Sequence, residues 1–294
     1  MRRWAVKAGS GCILLMLGLP GCAGWAPWRD RSAERREAMA ISAEIQRLSQ
    51  QAQVAIDGDD PLAASVILER LVVVAPKSAE AHQRLGQVLR DQGRLAEAEA
   101  AFRRALDLDP EYSAAMIGLG AIDARLNRHS DALERFDAAI EIAPQSAEAH
   151  RSRARVLEAL GKTDDALAAY FRALQFEPNA TDVPLRIATL QLSRNQPDQA
   201  LARLDTLIDQ RPGDAEARYQ RGLAHLSLKH AELAIADLKA AAEKLPGRPD
   251  VLYHLALALA AGQETTAALE AAERALSLAP TSQEARALTE RLRR

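Results

Sequence analysis

Seven prolines recur at intervals of 34 residues, and this period constrains the fold more than any other feature of the chain. They are Pro76, Pro110, Pro144, Pro178, Pro212, Pro246 and Pro280. Each follows a run that favours helix, as in RRALDLDPEYSAA at residues 103–115. A proline inside a helix costs roughly 3 kcal/mol because it lacks an N–H and clashes with the preceding turn. The prolines therefore mark the ends of equivalent helices in stacked units of one length.

The composition indicates an all-helical protein with an aliphatic core. The chain has 294 residues, of which 48% are hydrophobic and 27% charged, so it can bury a substantial core. Aromatic residues make up only 4%, and the small aliphatic side chains that remain suit closely packed helices. The net charge of -2 disfavours a nucleic-acid partner, since binding to phosphates requires clustered Lys and Arg.

Small residues recur in phase with the prolines. If each proline is position 32, the units are residues 45–78, 79–112, 113–146, 147–180, 181–214, 215–248 and 249–282. Position 8 is Ala or Gly in every unit, position 24 is bulky in all but the last, and position 20 is always alanine. These alanines are Ala64, Ala98, Ala132, Ala166, Ala200, Ala234 and Ala268.

The 34-residue unit with these residues resembles the tetratricopeptide repeat. The resemblance implies an all-α, right-handed superhelical solenoid of seven helix-turn-helix repeats, with position 20 at the closest approach of the two helices in a repeat. The tryptophan usual at position 4 is absent, and Pro184 takes its place in the fifth unit. Leu71 and Leu207 replace the alanine found at position 27 elsewhere, which predicts the least regular contacts there. An unrelated helical bundle with accidental spacing is the alternative.

Both ends of the repeat array have recognisable patterns. Residues 283–294 place apolar side chains on one face and charge elsewhere, which predicts a C-terminal capping helix. Residues 22–44 are expected to form a tether and the start of a helix that continues into the first repeat.

The first 21 residues have the pattern of a secretory signal peptide, with a basic start and an apolar run too short to span a bilayer. The segment LPGC at residues 19–22 resembles the lipobox of bacterial lipoproteins, although Pro20 departs from the usual small residue. The resemblance implies removal of residues 1–21 and lipidation of Cys22. It also implies a periplasm-facing envelope protein, for which Ala23 favours the outer membrane. Ordinary cleavage nearby, without lipid, is the alternative.

No catalytic or metal-binding motif stands out in the sequence. The two cysteines, Cys12 and Cys22, both lie in the first 22 residues, and the six histidines form no HExxH motif. Phosphate-binding glycine motifs and a GxSxG serine are absent as well. We therefore expect no enzyme, no cofactor and no metal.

The family resemblance implies binding on the concave surface, where positions 2, 5, 9 and 12 of each first helix should lie. The polar members and their neighbours are Gln83, Arg84, Gln87, Arg90, Arg125, Arg151 and Arg155. The apolar members are Leu185, Tyr219, Leu223, Leu226, Tyr253 and Leu257. This pattern predicts an extended protein or peptide ligand that is acidic at one end and apolar at the other. The alternatives are that the arginines pair with Glu80, Glu148 and Glu158, and that self-association covers the apolar stripe.

A non-enzymatic interaction scaffold of the bacterial envelope is thus the predicted function. The anchored architecture is also similar to tetratricopeptide lipoproteins that assist assembly of type IV pili, secretins or exopolysaccharide export machinery. A structural protein associated with peptidoglycan or polysaccharide is an alternative of another class, with Tyr219 and Tyr253 as stacking platforms.

Overall fold

A computed structural model describes residues 31–294, in which every regular element is an α-helix. The predicted signal segment 1–21 and Cys22 lie outside the described residues. Residues 31–76 belong to one compact unit, and Lys77–Arg294 form a second. No helix among residues 31–294 combines the length and the apolar composition needed to cross a membrane.

The helices alternate in the predicted order, so the succession of helix-turn-helix units is confirmed. The first unit contains α1 (Arg31–Asp57) and α2 (Pro61–Val74). The second contains α3 (Ala79–Asp91), α4 (Leu95–Leu108), α5 (Ser113–Arg125), α6 (His129–Ile142), α7 (Ala147–Ala159), α8 (Thr163–Phe176), α9 (Val183–Ser193), α10 (Pro197–Gln210), α11 (Ala215–Ser227), α12 (Ala231–Lys244), α13 (Pro249–Ala261), α14 (Thr265–Leu278) and α15 (Gln283–Leu292).

Side-chain caps begin every second first helix of the second unit. Ser78, Ser146 and Asp214 each accept a hydrogen bond from the backbone N–H three residues later, and Ser282 does the same at α15. Such caps satisfy backbone donors that lack a partner in the first turn. The seven periodic prolines follow the helix ends, whereas α2, α9, α10 and α13 tolerate a proline in their first turn.

The turn inside each repeat places position 15 in the left-handed region. Glycine occupies this position in two repeats, with φ of 79° at Gly93 and 71° at Gly161. In the other repeats the residues are Asp59, Asn127, Asn195, Lys229 and Gln263. The common conformation shows that all seven repeats use the same helix connection.

The residues at position 20 lie where the two helices of each repeat meet. All seven alanines are completely buried, with 0% exposure. The large side chains at position 24, such as Phe102, Phe136 and Tyr170, are buried beside them. Because a larger residue at position 20 would push two backbones apart, the sevenfold alanine has a direct packing cause.

The junction between the fourth and fifth repeats is the least regular part of the second unit. Helix α9 begins at Val183 and has 11 residues, whereas α7 and α11 have 13. Its N-terminal residue Asp182 makes no capping hydrogen bond. Helices α7 and α9 also lack the close contact that joins the other consecutive first helices.

Helix α15 covers the last repeat as predicted. It buries Ala285, Leu288 and Thr289, while Leu292 is partly exposed and packs against the same core. Charged residues occupy its outer side, as a capping helix requires.

Candidate functional site

The first helices form the inner layer of residues Lys77–Arg294. Four consecutive pairs of first helices contact each other, namely α3 with α5, α5 with α7, α9 with α11 and α11 with α13. Consecutive second helices in this part of the chain are not in comparable contact. A double layer curves toward the side on which its elements lie closer together, so the first helices are on the concave side. We call positions 2, 5, 9 and 12 of α3, α5, α7, α9, α11 and α13 the first-helix face.

The polar residues of α3 and α5 remain accessible on or beside this face. Gln83 Nε2 lies 3.5 Å from Gln87 Oε1, and both side chains reach the solvent. Arg90 donates from Nε to Asp91 at 3.0 Å, while Arg125 donates to the backbone carbonyl of Arg90 at 3.0 Å. These four residues therefore form a connected group with unused amide and guanidinium donors.

One of the expected arginine pairs is present, but it is loose. Arg84 NH1 lies 4.0 Å from Glu80 Oε1, and the glutamate side chain is mostly exposed. At such exposed sites, ion pairs contribute about 0–1 kcal/mol to stability.

The arginines of α7 are paired with residues other than those expected. Arg155 donates to Asp182 at 3.0 Å, and Arg151 lies 3.4 Å from the other oxygen of Asp182 and 3.6 Å from Glu177. The expected pairing with Glu148 and Glu158 is wrong, because Asp182 leaves its capping role and turns toward α7.

Glu158 instead serves the contact between the fourth and fifth repeats. It accepts a hydrogen bond from the Tyr170 hydroxyl at 2.8 Å and lies 3.4 Å from Arg186 NH1. Burial, followed by the hydrogen bond to Glu158, raises the pKa of Tyr170.

The apolar residues of α11 and α13 form one continuous stripe. Leu223, Leu226, Tyr253 and Leu257 are all partly exposed and pack against one core cluster. Leu185 lies on α9, where it packs against the core of the fifth repeat. The structure thus brings together four of the six predicted apolar residues at the C-terminal end of the first-helix face.

Tyr219 does not present its ring to solvent, so its predicted role as an exposed anchor is wrong. It is 5% exposed, its hydroxyl lies 3.1 Å from His254 Nδ1, and the Arg248 guanidinium lies 5.1 Å above its ring. Burial raises the pKa of Tyr219. The stacking platform of two tyrosines expected for a polysaccharide ligand is therefore reduced to Tyr253.

Charged residues hold the cover over Tyr219 in place. Arg248 donates to Glu216 at 2.6 Å and from Nε to Asp250 at 3.0 Å. Arg248 and Asp250 come from the next repeat, 29 and 31 residues beyond Tyr219 in sequence. A reading of one repeat alone could not have identified this cover.

The part of the chain from residue 31 to residue 294 contains no cluster of three His, Cys, Asp or Glu side chains able to hold a metal ion. The chemistry of the first-helix face is that of a recognition surface, with amide and guanidinium donors at one end and aliphatic and aromatic side chains at the other.

Sequence models described as tetratricopeptide repeat match most of the chain. They match residues 89–156 and 157–226, residues 49–113 and 230–283, and residues 215–243. Together these matches run without a gap from residue 49 to residue 283. No protein of curated function matches the sequence.

Solved structures with the same fold include YrrB, described as a TPR protein with an unusual peptide-binding site. It has a TM-score of 0.58 and 23% identity, over 65% of this chain and 98% of YrrB. A tetratricopeptide repeat protein from Parabacteroides merdae has a TM-score of 0.54 and 18% identity, over 86% of this chain and 100% of its own. The Cut9–Hcn1 assembly has a TM-score of 0.64 and 16% identity, over 82% of this chain and 48% of the matched one.

These identities establish a common fold and no more. The family assignment depends on the sequence models, which agree with the 34-residue period, the buried position-20 alanines and the common turn. The chain belongs to the tetratricopeptide repeat family.

Proposed function

We propose that the chain is a non-enzymatic scaffold that binds an extended segment of another protein along the first-helix face. The observation that carries this proposal is the stripe of Leu223, Leu226, Tyr253 and Leu257, which stays partly exposed on the concave side. Contiguous apolar surface on a soluble protein marks an interaction site more often than scattered apolar residues do. The description of YrrB as peptide-binding supports the same kind of ligand.

The two ends of the face favour different contacts. Apolar side chains of a ligand would gain about 25 cal/mol for each Å² of apolar surface removed from water at the stripe. Acidic side chains would replace Asp182 as partner of Arg151 and Arg155, both of which make exchangeable surface ion pairs. The ligand is thus acidic toward α7 and apolar toward α13.

A matched pair of variants tests this site. Leu223→Asp adds a carboxylate to the stripe, whereas Leu233→Asp adds one to the exposed side of α12 in the same repeat, where Leu233 is 54% exposed. Proteins would be captured from detergent-solubilised envelopes with the parent and both variants, after thermal melts establish that each is folded. We expect Leu223→Asp to lose the captured protein and Leu233→Asp to retain it. Loss with both variants, or with neither, would contradict binding at the first-helix face.

We also propose that the scaffold is anchored in the bacterial envelope through lipid on Cys22. The basic start, the apolar run and the LPGC segment support this proposal. Cys22→Ala should release the protein from the membrane fraction and abolish the mass increase of lipidation. A variant that remains in the membrane with the parental mass would refute the anchor while leaving the binding site untouched.

The polysaccharide alternative is tested in parallel by sedimentation with purified peptidoglycan. The burial of Tyr219 disfavours it, because only Tyr253 remains for stacking on a sugar. Cosedimentation that Tyr253→Ala abolishes would favour the polysaccharide class over a protein ligand.

A further inference from the structure

A cleft of about 510 Å³ lies between second helices α8 and α10, over the packing side of α9. Its apolar lining includes Leu174 of α8, Pro184 of α9 and Leu207 of α10. Its polar lining includes Gln191 and Arg203. The exposed residues of α10 at its rim lie on the second-helix side, so the cleft is separate from the first-helix face.

The cleft follows from the sequence of the fifth repeat. Position 4 is Pro184, which offers no large side chain to fill the space between the two second helices. In the fourth repeat, the residue at this position is His150, which stacks on Phe176 with ring centroids 5.6 Å apart. The corresponding spaces one and two junctions earlier measure about 320 and 350 Å³.

Two buried polar atoms at the cleft lack partners in the described part of the chain. Gln191 is 3% exposed, and its Oε1 makes no hydrogen bond, while its Nε2 donates to Gln199 at 3.1 Å. Arg203 Nε is also buried without a hydrogen-bond partner. Unpaired buried polar atoms are rare in folded proteins, and two of them at one cleft indicate a missing ligand group.

The third repeat shows which group is missing. Positions 11 and 23 hold Asp123 and Arg135 there, and Arg135 Nε donates to Asp123 Oδ2 at 2.6 Å. The same positions in the fifth repeat hold Gln191 and Arg203. A neutral amide has replaced the carboxylate, so the arginine keeps its charge and loses its counterion.

The surroundings of Arg203 do not replace that counterion. Its guanidinium lies 4.7 Å from the ring centroid of Phe171, which attracts a cation but accepts no strong hydrogen bond. Burial lowers the pKa of Arg203, and no neighbouring carboxylate offsets this effect. The guanidinium is therefore positioned to bind an external anion.

We propose that the cleft binds an acidic side chain from an apolar segment of a partner protein. The Asp or Glu carboxylate accepts from Arg203 Nε, in the place that Asp123 fills in the third repeat. Leu174 and Leu207 contact a neighbouring apolar side chain, and Gln191 Oε1 accepts a backbone N–H of the segment. The scaffold thereby has a second recognition site on its second-helix side, independent of the first-helix face.

The peptide acetyl-Leu-Asp-Leu-amide is the probe, because its only carboxylate is a side chain, and acetyl-Leu-Asn-Leu-amide is its neutral control. Binding is followed by the Nε–Hε resonance of Arg203 in ¹H–¹⁵N spectra, which Arg203→Gln identifies by its disappearance. We expect saturable shifts with the Asp peptide and at least about tenfold weaker binding of the Asn peptide. Equal binding of the two peptides, or no shift with either, would overturn the proposal.

The variant Gln191→Asp supplies the missing carboxylate from within the chain. It should raise the melting temperature and abolish peptide binding, since it reproduces the Asp123–Arg135 pair. Arg203→Gln should also abolish binding, detected by calorimetry, whereas Arg172→Gln on the outer surface of α8 should bind like the parent. Parental binding by folded Gln191→Asp or Arg203→Gln would refute the site.

Two further arms separate the alternatives. N-acetylleucine, a free carboxylate with one apolar side chain, should compete at least about tenfold less well than the Asp peptide. Equal competition would assign the cleft to small carboxylates and overturn the peptide assignment. Leu223→Asp should leave peptide binding unchanged, so failure at the first-helix face and failure at the cleft are distinguishable.

Discussion

The ring of Phe136 packs against the backbone of Gly120 so closely that a Cβ atom on Gly120 would lie 2.7 Å from Cε1 of the ring. Gly120 is position 8 and Phe136 position 24 of the third repeat. The same relationship joins Gly86 to Phe102 and Gly222 to Leu238. A small residue on the first helix therefore makes room for a large residue on the second.

Gly120→Ala should destabilise the protein despite the better helix propensity of alanine. Overpacking a core costs roughly 1–3 kcal/mol, and the propensity gain of about 1 kcal/mol offsets only part of this. Gly247→Ala is the control, because a Cβ there meets no atom within 4 Å. Thermal melts should show a lower midpoint for Gly120→Ala alone, and equal midpoints for both variants would contradict the packing assignment.

Ala132→Leu should lower the free energy of unfolding by roughly 1–3 kcal/mol, because the added carbons enter a completely buried helix contact. The matched variant Ala236→Leu makes the same change on the exposed side of α12 and should alter stability by less than about 0.5 kcal/mol. Denaturant titration of both variants measures the difference. Similar losses at the two sites would mean that position 20 is not the closest helix contact.

Stability should fall as the pH decreases from about 7.5 to about 5.5. Burial lowers the pKa of His225 and His254, so the folded state favours their neutral forms. In the unfolded chain their pKa is about 6.5, so the unfolded state binds protons first and is increasingly favoured below that pH. The contribution is present above pH 6.5 and is lost as the pH falls toward the folded-state pKa.

Melting temperatures across this pH range test the assignment to these two histidines. His225→Gln with His254→Gln should flatten the dependence, whereas His230→Gln, at an exposed residue, should leave it unchanged. A melting temperature that rises on acidification would contradict the sign of the predicted effect.

Asp182→Asn should strengthen binding of an acidic ligand at the first-helix face, because it releases Arg151 and Arg155 from an internal competitor. The stability change should stay within about 1 kcal/mol, since Asp182 is 42% exposed. The affinity of the captured partner, measured at low and at high salt, should rise most at low salt. Asp164→Asn, which removes the exposed partner of Arg194, is the control and should leave affinity unchanged.

The repeat framework could be predicted from sequence because every unit solves the same packing problem. Each position-20 alanine makes an equivalent contact, so seven copies of one signal reinforce each other. Aligned small and large residues therefore predicted the helix order and the buried contact without knowledge of side-chain positions.

The binding surface was less predictable because its details depend on contacts between repeats. Burial of Tyr219 requires Arg248 and His254 from the next repeat, and the fate of Arg151 depends on Asp182, 31 residues away in sequence. A single-repeat pattern contains neither contact.

The cleft residues had a sequence signal that only a comparison between repeats reveals. Arg203 shares position 23 with Arg135, but its position-11 partner is Gln191 where the third repeat has Asp123. Together with Pro184 at position 4, this difference could have indicated an incomplete ion pair beside a gap.

Site-specific photo-crosslinking tests the proposed function most directly. Benzoylphenylalanine would replace Tyr253 on the first-helix face or Leu278, which is 48% exposed on α14, and the cells would then be irradiated. We expect a defined adduct with a partner protein from position 253 and none from position 278. An adduct from position 278 alone, or equal adducts from both positions, would contradict recognition on the concave face.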